Sequence, residues 1–169
     1  MTKIILLRGN AGSGKSTVAR EIQNRVIPHP MLIEQDHFRR KIIKEHEGPD
    51  IISDKLILET VKFGLSQNLD IIIEGIFPFG RSGDKYKKMF DKIFELHPNE
   101  NFVYYFDIPF AENVKRHQTR DSAKEFGVEK MKKWFLENDR TNYTNEQIIN
   151  SSSSLEQTVT RILSETGLL

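Results

Sequence analysis

The chain has no cysteine, which excludes disulfide staples and thiolate metal sites and is compatible with a reducing compartment. It also lacks a surplus of either charge. Its 25 lysines and arginines face 24 aspartates and glutamates, for a formal net charge of +1. No bulk attraction toward nucleic acid or a membrane surface is therefore expected. No apolar run approaches the ~20 residues of a spanning helix. A core-strand pattern from Lys3 onward leaves no room for a leader, so a cytoplasmic location is expected. The five histidines (His29, His37, His46, His97 and His117) show no metal-ligand spacing. The single tryptophan, Trp134, reads with Met131 and Phe135 as core. What remains is a length suited to one domain, 1–169, with a core of its own.

One stretch stands out from this plain background. Gly9-Asn10-Ala11-Gly12-Ser13-Gly14-Lys15-Ser16-Thr17 satisfies G-x-x-x-x-G-K-[ST], between a strand pattern at Lys3 to Leu7 and a helical pattern at Val18 to Arg25. Glycines let such a chain curl so that successive N–H groups point inward, and the start of a helix adds its positive dipole end at the same spot. A nucleoside triphosphate is the expected occupant. Lys15 is expected on the β- and γ-phosphates and Ser16 on a magnesium ion, with Thr17 a further contact.

Downstream, Met31 to Glu34 reads as a second strand that delivers Asp36, followed by a basic helical segment from His37 to Lys44. A helix over Ser53 to Gln67, capped by Ser53, carries Leu56, Leu58, Val61, Phe63 and Leu65 as its apolar content. Asp70 to Glu74 is an uninterrupted β-branched run, suited to a parallel strand covered on both faces. After a loop at Gly75 to Gly83, Asp84 to Leu96 reads as a helix whose Lys85, Lys87, Lys88 and Lys92 form a solvated face. Asn101 to Asp107 is the next strand, and Pro109 opens a helix to His117. The polar stretch from Gln118 to Gly127 suggests a lid, about 116–127 with its arginines. A helix over Val128 to Asn138, a short strand at Gln147 to Asn150 and a serine-capped helix to about Glu165 complete the chain. Strands alternating with helices imply an α/β fold: a five-stranded parallel sheet with helices on both faces and ligands at the carboxyl ends of the strands.

Lys15, Asp36 and Glu74 fall at those ends. Asp36 reads either as a cap of the following helix or as the carboxylate that orients an acceptor hydroxyl and takes its proton. Arg39, one α-helical turn on, is expected to face the same crevice and hold an anionic group of the substrate, with Arg40 pointing elsewhere. Glu74 reads as a magnesium or substrate ligand, or as one half of an ion pair with a lysine. Arg116 and Arg120, four apart beside the lid, suit the stabilisation of phosphoryl charge on closure.

With these residues in view, the chain resembles the P-loop NTPases, and among them the small kinases. Ile4 to Arg20, the Asp36-His37-Phe38-Arg39 segment with His46-Glu47, and Phe106-Asp107-Ile108-Pro109-Phe110 with Val114-Lys115-Arg116 and Arg120 are most similar to the polynucleotide 5'-hydroxyl kinase domain. Glu74-Gly75-Ile76-Phe77 is closer to uridine kinases. Zeta toxins and chloramphenicol phosphotransferases resemble the same framework. The resemblance implies an ATP- and magnesium-dependent kinase acting on a hydroxyl of a nucleic-acid 5' end, a nucleoside or another small molecule, with the base held around Ser151 to Ser154. The near-neutral charge gives no sign of a long nucleic-acid partner. A nucleotide switch or slow ATPase working through protein partners is the competing class.

Overall fold

The computed structural model describes residues 2–45, 52–81, 84–119 and 126–168. β1 (Ile4–Gly9) is buried along its whole length, because it lies mid-sheet with a parallel partner on each side: β3 (Ile71–Gly75) and β4 (Asn101–Asp107). β2 (Met31–Glu34) pairs outside β3 and β5 (Glu146–Asn150) outside β4, giving the all-parallel order β2-β3-β1-β4-β5. Parallel neighbours require crossovers, and the crossing helices cover both faces.

The two-residue alternation of β1 divides the core. Ile5 and Leu7 face Val18, Ala19 and Ile22 of α1 (Lys15–Arg25) and Val159, Ile162 and Leu163 of α7 (Leu155–Thr166). Ile4 and Leu6 face the other way, onto Ile57 and Val61 of α3 (Ile52–Ser66) and Tyr86, Met89, Phe90 and Ile93 of α4 (Lys85–Leu96). The expected α/β sheet with helices on both faces is present. α7 is closed as its sequence suggests, by a Ser154–Gln157 capping box and a left-handed Gly167.

Several local expectations need correction. α1 begins at Lys15 rather than Val18, so Ser16 and Thr17 ride on its first turn. Ser53 lies inside α3 and does not cap it; the Glu45 carboxylate reaches across instead, accepting the Ile52 N–H and the Ser53 hydroxyl (2.7 Å). Burial of Glu45 is outweighed by these bonds and by the Arg39 charge, and its pKa falls below the ordinary value. Phe63, counted in the apolar content of this helix, is 59% exposed, and the inward stripe runs through Ile57 and Val61. Lys85 is not simply solvated: its ammonium pairs with the buried Asp54 carboxylate at 2.6 Å.

The segment after β2 forms a short α2 (Gln35–His37) and then a π-helical turn at Phe38–Ile42, where a regular helix was expected. α5 (Phe110–Gln118) carries Arg116, and His117 on it is fully buried. α6 (Val128–Trp134) stops four residues short of Asn138, because the Asn10 amide takes both backbone groups of Leu136 and Asn138 turns left-handed (φ 51). Met131 of α6 is core, whereas Trp134 is only half-buried, edge-on to Phe126. Arg120, most of the expected lid and His46-Glu47 lie outside the described residues. Among the described residues no helix is long and apolar enough to cross a membrane.

Candidate active site

The loop after β1 turns on glycines for steric reasons. Gly12 has φ +80, and a Cβ there would sit 2.4 Å from the Asn113 carbonyl oxygen, so α5 packs directly on the loop. Gly14, at φ +99, is the residue before α1 and turns the chain into the helix with its N–H groups facing the concavity. No side chain caps this N-terminus. α1 thus leaves its first N–H groups and positive dipole end uncapped, an arrangement that suits an anion.

Lys15 is buried, with its ammonium bonded to the Asn10 carbonyl at 3.2 Å. Ser16 donates its hydroxyl proton to the Glu74 carboxylate at 3.0 Å. Glu74 stands beside Leu7 in the β1–β3 register, and only 4% of it is exposed. Burial pushes its pKa up; the Lys15 charge and the Ser16 bond pull the other way, while Glu34 and Asp36 add repulsion. The sequence left Glu74 as a metal or substrate ligand or as one half of an ion pair with a lysine; in the structure it accepts the Ser16 hydroxyl and lies within electrostatic reach of Lys15.

Asp36 is exposed on α2, one residue beyond the buried Gln35. Arg40, and not Arg39, meets it, with Nε 2.8 Å from Oδ1. A spacing of four already puts two side chains on one helix face, so the expectation that Arg40 points elsewhere fails. Arg39 lies instead within electrostatic reach of Glu45, Asp54 and Tyr86. Its Nε is buried and makes no hydrogen bond.

Arg116 is held at the loop by its own bonds, Nε to the Glu112 carboxylate (2.8 Å) and one guanidinium nitrogen to the Ser13 carbonyl (3.1 Å). Beside it opens a cavity of about 250 Å³ whose walls include Thr17, Arg116, Phe106, Asn150, Ser153 and Leu155. Loop, Lys15, Ser16, Glu74 and Arg116 come together at the carboxyl ends of β1 and β3. Asp36 lies at the end of β2, next to them.

Sequence reasoning missed three contributors. Gln35 accepts the Ile76 N–H (3.1 Å) on its side-chain oxygen and donates to the Tyr86 hydroxyl (3.2 Å), fixing the base of α2 against the loop after β3. Arg8 and Asp139 form a buried pair behind the loop after β1 at 2.6 Å. An arginine inside an otherwise apolar strand, Ile4 to Leu7, was the available signal for the second and third, because a charge there must find a partner.

No protein-family model matches the sequence, and no curated protein does. Solved structures match over nearly the whole chain. A sugar kinase from Janibacter is 14% identical, with 99% of this chain and 98% of that one covered at a TM-score of 0.71. The APS kinase of Mycobacterium tuberculosis, in complex with AMPPNP and APS, is 12% identical over 96% of each chain, TM-score 0.68. A gluconokinase from Sinorhizobium meliloti is 15% identical over 98% of this chain and 91% of its own, TM-score 0.61. The fold is that of the P-loop small kinases. None of these three is a polynucleotide kinase, so the narrower resemblance rests on its sequence patches alone.

Proposed function

We propose that the protein is an ATP-dependent kinase that transfers the γ-phosphoryl group to a hydroxyl of a small molecule. The observation that carries this reading is the convergence of the buried Lys15 and Glu74 with the Ser16 hydroxyl at an uncapped helix N-terminus. In its support, an ATP analogue is bound in the APS kinase of the same fold.

The residues present fit a triphosphate and a divalent cation: no side chain caps the N–H groups that open α1, and Ser16 and Glu74 offer two oxygen donors beside them. Magnesium held there would neutralise charge on the phosphate oxygens. Lys15 turns from the Asn10 carbonyl to the β- and γ-oxygens. Arg116, already at the Ser13 carbonyl, faces the same charge, and Arg120 is assigned to it as well. The nucleobase fits the cavity between Arg116 and the Asn150–Ser153 turn.

Asp36 accepts the proton of the acceptor hydroxyl as its oxygen bonds to the γ-phosphorus and the bridging bond to ADP breaks. Arg40 holds Oδ1 of that carboxylate at 2.8 Å, and Oδ2 is assigned to the acceptor. Arg39 turns toward the acid cluster, so Arg40 takes over as the cation nearest the acceptor. Among acceptors, the near-zero net charge supports a small alcohol over a long nucleic acid.

Transfer of labelled γ-phosphate, screened over sugars, nucleosides, oligonucleotide 5' ends and other alcohols, tests the reading. Acceptor-dependent label in a product supports it. ADP release that ignores every acceptor refutes it and favours the slow-ATPase class.

A further inference from the structure

Arg8 is the last residue of β1 before Gly9 and is completely buried. Its guanidinium donates to the Phe77 carbonyl (3.2 Å), to the carbonyl (2.5 Å) and carboxylate (2.6 Å) of Asp139, and to the Glu146 carboxylate (3.2 Å). The rings of Phe79 and Tyr105 flank it at 4.5 and 5.0 Å. Asp139 extends the network: its two oxygens accept the N–H groups of Phe79 (3.1 Å) and Gly80 (2.6 Å), and its own N–H goes to the Tyr105 hydroxyl (3.2 Å). Three residues earlier, Leu136 exchanges two bonds with the side chain of Asn10 in the phosphate loop (2.8 and 2.9 Å). Segments far apart in sequence thus form one hydrogen-bonded unit.

Phe77 is the point they hold. It is a buried non-glycine residue at φ +41, a left-handed conformation that persists only when its surroundings over-determine it. Arg8 grips its carbonyl and Gln35, the neighbour of Asp36, its N–H (3.4 Å). A well-packed apolar cluster would often be as stable as such a buried charge network, so what the network adds is geometry.

We propose that Asp139, acting through Arg8, is a positioning residue: it keeps the turn at Phe77, and with it Gln35 and Asp36, in register with the phosphate loop. Loading the loop with nucleotide then orders the acceptor side. This rests on the nucleotide-binding reading above.

Hydrogen exchange of the full chain with and without AMPPNP tests it. In the wild type, the analogue is expected to slow exchange about fivefold or more in residues 9–17 and in residues 76–80. Asp139→Asn should keep the first effect and lose the second. Because the comparison is made within one variant, general loosening by a merely structural change cancels. Protection of 9–17 without 76–80 in the wild type, or of both in Asp139→Asn, overturns the proposal. No protection at 9–17 overturns the nucleotide reading and this one with it, so the two failures are told apart. Should Asp139→Asn not fold, Tyr105→Phe removes only the hydroxyl that accepts the Asp139 N–H. Weakened protection at 76–80 is then expected, and undiminished protection counts against the proposal.

Discussion

Replacing Lys15 by Met removes a buried ammonium and leaves the loop backbone and the glycines that shape it in place. Two effects follow from the geometry. Transition-state charge on the phosphate oxygens loses one positioned cation, a loss of about 3 to 4 kcal/mol, or roughly a hundredfold to a thousandfold in turnover. Glu74 also loses the largest influence that offsets its burial, so its carboxyl, already above the ordinary 4.5, moves further up. A carboxyl with a raised pKa favours folding below the ordinary value, and that advantage is lost as pH rises from there through the raised value. In Lys15→Met the upper end of this window lies higher. Its melting temperature should go on falling with pH after the wild type has levelled off. The assays are acceptor-dependent ADP release, calorimetric titration with an ATP analogue, and thermal melts between pH 4 and 9. A folded Lys15→Met chain with near wild-type turnover would refute the role of the lysine, and parallel melting curves would refute its coupling to Glu74.

Asp36→Asn should leave binding of the ATP analogue unchanged and lower turnover by ~10² to 10⁴; loss of nucleotide binding in titration would make Asp36 a ligand of the phosphates or metal instead. Arg40→Ala, breaking an exposed pair with Asp36, should change stability by no more than about 1 kcal/mol in denaturant melts, yet lower acceptor-dependent turnover more than Arg39→Ala does; equal turnover in the two variants would remove Arg40 from the acceptor side. Gly12→Ala forces a Cβ to within 2.4 Å of the Asn113 carbonyl at a left-handed position, and a loss of about 1 to 3 kcal/mol is expected together with weaker nucleotide binding; an unchanged melting temperature would show that α5 yields freely. Arg8→Ala strips the buried Asp139 and Glu146 of their shared cation, and about 3 to 5 kcal/mol of stability should disappear in urea unfolding.

The sheet was legible because its strands are short apolar runs between breakers, and the turn from β1 into α1 because its glycine spacing demands one. Helix ends were less so. Nothing near Ser53 in the sequence announces that Glu45, eight residues earlier, bonds both the N–H of Ile52 and the Ser53 hydroxyl. Reading Arg39 as the companion of Asp36 chose between spacings of three and four, which share one helix face, and the contact that forms is the four-residue one with Arg40. Asn10 looked like a mere spacer in the motif; its bonds to Leu136, 126 residues away, are a tertiary fact that local pattern does not carry.

The placing of β1 at the middle of the sheet bears on how the chain folds. Ile4 pairs with Ile71 and with Asn101. At ~5 to 20 residues per second, the strand leaves the ribosome about 3 to 20 s before these partners do. For that interval a six-residue segment made mostly of isoleucine and leucine has no sheet to join, and its loop-closure entropy must be met before any pairing rewards it. The nascent chain is therefore most exposed to wrong strand pairing at a strand that the finished protein buries along its whole length.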